Sequence, residues 1–141
     1  MSAKTYVLDL QPDTEQRLLG VVTTESMVRF TWELNRLLDI DLQRSSDLVI
    51  EEPKSKMFFP RCLFTDPETE VSIALLRNKG VHGILLPKLR QMDYLIVEEK
   101  GYAGYLTSAE TLNQSNSIGI QFCSEIKTEN EMLHLLQIFD I

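Results

Sequence analysis

Tyr94-Leu95-Ile96-Val97 sets four large apolar residues in succession between Asp93 and the pair Glu98-Glu99. In a β-strand consecutive side chains point to opposite faces, so a strand made from this run must be covered on both sides. The run is short, aromatic and β-branched, and charge bounds it at each end, which favours strand over helix. It therefore predicts a strand buried on both faces. The remaining elements have to be found around it.

Residues 57–64 and 71–76 flank Asp66-Pro67-Glu68-Thr69, a turn sequence that predicts the tip of a β-hairpin. Pro60 inside the first arm marks a sheet edge, because proline gives no N–H to a ladder. Phe58 and Phe59 beside it become candidates for contact with another chain. Residues 5–10, 17–22, 47–50 and 118–123 predict further strands, although Glu15 to Leu19 also admits a helical reading. Met27, Phe30, Leu34, Leu37 and Leu38 recur at helical spacing and predict a helix capped by Thr23 or Thr24 and ending near Asp39. Residues 107–114 predict a short helix. Thr128 with Glu131 three residues on forms a capping signature for a final helix whose buried face is Met132, Leu133, Leu136 and Phe139. The expected fold is α+β: one domain over residues 1–141, with a mainly antiparallel sheet packed against a helix in the N-terminal half and a C-terminal helix.

Composition narrows the class. A chain of 141 residues buries roughly two thirds of the surface it exposes when unfolded. Its apolar share of 43% and charged share of 25% are those of a globular domain. No apolar run reaches the ~18 residues of a membrane helix, and Met1-Ser2-Ala3-Lys4-Thr5 lacks an apolar leader, so a soluble cytoplasmic protein is expected. The net charge of −7, from 14 basic and 21 acidic residues, repels phosphate backbones. Arg29, Arg36, Arg44 and Lys54 to Lys56 are scattered along the chain, and neither a nucleic-acid nor a membrane partner is expected. Cys62 and Cys123 sit far apart in apolar runs and are expected as buried free thiols.

The segment leading into the apolar run carries a pattern of its own: Leu86-Pro87-Lys88-Leu89-Arg90-Gln91-Met92-Asp93-Tyr94. Pro87 fixes its own φ and pushes Leu86 toward an extended conformation, so the segment reads as a turn feeding the strand. Asp93 at the strand's start is placed to accept turn N–H groups, and Tyr94 to pack with its hydroxyl at the edge. This spacing resembles the signature of the small bacterial proteins called the IPExxxVDY family. Pro87, Asp93 and Tyr94 match it identically, and Leu86 and Met92 are apolar replacements. Lys88 stands where the signature has an acid, so no carboxylate chemistry carries over to that position. The family has no assigned chemistry, and the resemblance implies none.

Residue types suited to catalysis are sparse. Two histidines, His82 and His134, have no second ligand at zinc-like spacing, and the six glycines build no phosphate-binding loop; no metal or cofactor is expected. His82 lies in Gly80-Val81-His82-Gly83, just before the signature, where a pocket with Asp93 and Tyr94 would form half of a catalytic arrangement. Trp32 stands off the main helical stripe and either borders the core or faces a partner. The leading expectation is a non-enzymatic protein that binds another protein or itself through Trp32, Phe58 and Phe59. The alternative is a small-molecule binder or an enzyme of unknown type with a pocket at His82, Asp93 and Tyr94.

Overall fold

The computed structural model describes residues 16–99, 109–114 and 119–126. The expected strand at 5–10 and the expected helix after Thr128, with His134, lie outside them. In chain order the elements are β1 (Gln16–Thr23), α1 (Met27–Leu38), β2 (Gln43–Arg44), β3 (Leu48–Glu52), β4 (Ser55–Phe59), β5 (Arg61–Thr65) and β6 (Ser72–Arg77). There follow β7 (Lys79–Gly80), β8 (Gly83–Ile84), a 3₁₀ turn (Pro87–Leu89), β9 (Tyr94–Glu99), α2 (Ala109–Gln114) and β10 (Ile120–Ile126). The main sheet has the order β10-β1-β9-β6-β5-β2, and every neighbouring pair in it is antiparallel. The fold is α+β.

β9 lies inside the sheet, with β1 on one side and β6 on the other, and its first five residues are buried. Its alternation divides the core in two. Leu95 and Val97 join Leu18, Ala74 and Leu76 on one face, beneath Leu48, Ile50 and Phe59 of the β3–β4 hairpin and Leu85, Leu86 and Met92. Tyr94 and Ile96 join Leu19, Val21, Ile73 and Leu75 on the other, beneath Phe30 and Leu34 of α1 and Leu112 of α2. Helices thus cover one face and a two-stranded arm the other, as the unbroken apolar run requires. Each fully buried Leu, Ile or Phe contributes roughly 1.5–3 kcal/mol of transfer free energy.

Several local expectations change. The cap of α1 is Ser26, not Thr23 or Thr24: Ser26 Oγ accepts Arg29 N–H at 3.2 Å. Thr23 is still part of β1, and its hydroxyl accepts Glu25 N–H and donates to the Gly119 carbonyl. The helix ends where its charge pattern predicts, at Asp39, which adopts a left-handed conformation (φ 56°). Residues 57–64 are not one hairpin arm. Pro60 breaks them into β4, which folds back on β3, and β5, which pairs with β6 around Asp66-Pro67-Glu68-Thr69. The short helix expected up to Gln114 is α2.

Candidate functional site

The signature segment is shaped by a residue outside it. Asn78, fully buried at the end of β6, donates through Nδ2 to the carbonyls of Leu89 (2.9 Å) and Met92 (3.0 Å). Its Oδ1 accepts Leu86 N–H at 2.9 Å. Its backbone is also engaged, N–H to the Asp93 carbonyl (3.0 Å) and carbonyl to Leu85 N–H (2.7 Å). One amide side chain thereby holds both ends of the loop around the 3₁₀ turn. Leu86 is extended (φ −121°, ψ 90°) and Pro87 occupies the first helical turn, where its missing N–H leaves nothing unsatisfied. Met92 packs where Gly20 of β1 has no Cβ; a methyl there would stand 2.8 Å from its sulfur.

Asp93 ties the start of β9 to the end of β1. Its N–H donates to the Val21 carbonyl, its Oδ2 accepts Thr23 N–H at 3.0 Å, and its Oδ1 meets Lys79 Nζ at 3.3 Å. The carboxylate was expected to serve its own turn; it serves a neighbouring strand. Tyr94 is buried against Phe30, ring centroids 5.1 Å apart, and its hydroxyl donates to the Glu25 carbonyl at 2.8 Å. That bond fastens the chain just ahead of α1. Burial pushes the Tyr94 phenol up, Arg77 opposes the shift, and Asp93 and Glu25 add to it.

Around these two residues opens a cleft of about 350 Å³, lined by Thr23, Thr24 and Glu25 together with Arg77, Lys79, Asp93 and Tyr94. His82 does not line it. The expected grouping of His82 with Asp93 and Tyr94 is therefore corrected: two members meet and the third does not. The reason is backbone pairing. Val81 exchanges two hydrogen bonds with Phe58, N–H to carbonyl in each direction (2.9 and 3.2 Å), and Gly83 packs on Met57. These contacts carry the β7–β8 turn toward β4. His82 sits exposed at its tip with φ 71°, a conformation His tolerates better than most residues.

The same pairing corrects the expected partner surface. Phe59 is wholly buried in the core, and Phe58 is half-buried with its backbone N–H and carbonyl both taken by Val81. Neither offers a contact edge. Trp32 stands at 58% exposure, with Arg36 stacked 5.2 Å from its ring centroid, and Val28 one turn earlier is 83% exposed. Beside Val28 a second cavity, of about 330 Å³, is lined by Met27, Val28, Thr31, Arg44 and Cys62. Arg36 thus lies over the exposed indole, and Arg44 reaches the cavity beside Val28 from β2. Glu33 pairs with Arg29 and Arg36, and Asp47 with Arg44.

Among the described residues no three His, Cys, Asp or Glu side chains are placed to hold a metal ion, and no helix is long and apolar enough to cross a membrane. No protein-family model matches the chain, and no curated protein matches it.

Proposed function

We propose that this is a non-catalytic cytoplasmic protein that binds another protein through the outward face of α1. The observation that carries the proposal is the pair Val28 and Trp32, one helical turn apart and both solvent-exposed, beside an apolar cavity. Large apolar side chains adjacent on one helix face are the kind of surface that a partner covers, and tryptophan and arginine are enriched among residues that dominate binding energy. Arg36 over the indole and Arg44 at the cavity favour a partner segment with an apolar anchor flanked by carboxylates. Asp93 and Tyr94 fit this reading as architecture: their polar atoms hold β1 and the start of α1, which positions the face. The resemblance to the IPExxxVDY signature is read in the same way.

Comparing retained proteins for wild type and Trp32→Ala, with light scattering on both, tests the proposal. The expected result is a monomeric wild type with a partner that the variant releases at an unchanged melting temperature. A partner held equally by both proteins, or a Trp32-dependent homodimer, would overturn it.

A further inference from the structure

The polar cleft beside Tyr94 shares no lining residue with the cavity at Val28 and carries different chemistry. Its charged residues come from three places: Glu25 before α1, Arg77 and Lys79 from β6 and β7, and Asp93 at the start of β9. Lys79 and Asp93 pair at 3.3 Å and largely neutralise each other. Glu25 and Arg77 take part in no ion pair among the described residues. One carboxylate and one guanidinium thus remain uncompensated at the same cleft. Both line the cleft together with Tyr94. The Glu25 carboxylate rests against Gly119, where a Cβ would stand 2.6 Å from Oε2.

This charge arrangement selects among ligands. A simple anion gains from Arg77 and is repelled by Glu25, and a simple cation meets the reverse. A molecule carrying one charge of each sign satisfies both. We propose that the cleft binds a small zwitterion of the α-amino-acid class, its carboxylate on Arg77 and its ammonium on Glu25. A guanidinium presents two parallel N–H donors that match a carboxylate. The volume lies at the lower end of the roughly 300–1,000 Å³ typical of small-molecule sites, which fits a compact ligand.

The test is a titration of ¹⁵N-labelled protein with L-alanine, with propionate, which lacks the ammonium, and with ethylamine, which lacks the carboxylate. L-Alanine is expected to shift the Glu25, Arg77 and Tyr94 amides saturably, and the two half-ligands to bind about tenfold more weakly or worse. Arg77→Gln and Glu25→Gln are each expected to abolish the response. Neither side chain takes part in an ion pair, so both variants should keep the wild-type melting temperature; if one does not, the other decides. No saturable shift up to tens of millimolar, a response to propionate equal to that of L-alanine, or binding that survives in a folded variant would overturn the assignment.

Discussion

Oδ1 of Asn78 accepts the N–H of Leu86 at 2.9 Å, and neither residue's contact is open to water. The same amide satisfies two carbonyls across the loop. Asn78→Ala orphans the Leu86 N–H and the Met92 carbonyl, while the Leu89 carbonyl keeps the Met92 N–H, and should destabilise the protein by about 2–4 kcal/mol. Asn78→Asp keeps the acceptor for Leu86 but turns a carboxylate oxygen toward two carbonyls. Its folded pKa must then lie above the unfolded value, so stability is greatest below the ordinary aspartate range and is lost as pH rises. Urea unfolding of both variants at acid and neutral pH checks the pair. An Asn78→Asp protein indifferent to pH would contradict the geometry.

Asp93 should prove structural in a graded way. Asp93→Ala removes the acceptor for Thr23 N–H, at a residue only 4% exposed, and should lower stability by about 1–3 kcal/mol. Asp93→Asn keeps an oxygen for that N–H and loses only the half-exposed pair with Lys79, worth about 0–1 kcal/mol. Denaturation midpoints in the order wild type, Asn, Ala are expected. Equal losses for the two variants would show that the ion pair, not the N–H contact, is the stabilising element.

The closure of the β4 edge rests on a glycine. A Cβ at Gly80 would fall on the Phe58 carbonyl oxygen and press on the Phe59 ring, two neighbours that cannot swing away. Gly80→Ala should therefore cost about 2 kcal/mol or more and part Val81 from Phe58. Amide exchange at Phe58 and Val81 should rise well beyond the global change. Unchanged protection at both would mean that the hairpin tolerates the methyl and the edge is held by other contacts.

What could be read in the sequence was whatever depends on local periodicity. The run Tyr94 to Val97 announced a strand covered on both faces, and the stripe from Met27 to Leu38 announced α1, because burial is written directly into the order of apolar residues. Pro60 was legible as an edge marker, but not as the point where the arm divides: β4 leaves the main sheet for β3, a choice made by tertiary packing. Asn78 gave no signal, since an asparagine beside Lys79-Gly80 reads as turn chemistry and its partners lie 8 to 14 residues ahead. Arg77 and Glu25 are 52 positions apart and line one cleft only because β6 and β1 both flank β9.

Cys123 is predicted to be chemically silent in the native state. Burial pushes its thiol up to about 11, so almost no thiolate exists at pH 8, and thiolate is the reactive form. In a Cys62→Ser background, modification by an aromatic disulfide reagent should proceed only as fast as the protein unfolds, and denaturant should release it at once. Cys62 lines a surface cavity and should react sooner in the complementary Cys123→Ser protein. A fast native reaction of Cys123 would mean that β10 opens locally.

Glu33 links acidity to the exposed face of α1. Its carboxyl is held below the ordinary glutamate range chiefly by the hydrogen bond from Arg36 (2.7 Å); burial opposes the shift, and Arg29 (3.3 Å) assists it. A depressed folded pKa means that the interaction stabilises the protein above the unfolded value and is lost as pH falls through the folded one. The difference in stability between wild type and Glu33→Gln should accordingly stay flat from about pH 8 to pH 6 and shrink toward zero as the pH drops below about 4. Arg36 also lies over Trp32, so releasing it frees the indole. Trp32 is the only tryptophan in the chain, and its fluorescence reports the event directly. A change in its emission that tracks the acid loss of stability in wild type, and is absent from Glu33→Gln, is expected. The same change in both proteins would place the titrating group elsewhere and detach Glu33 from the contact face.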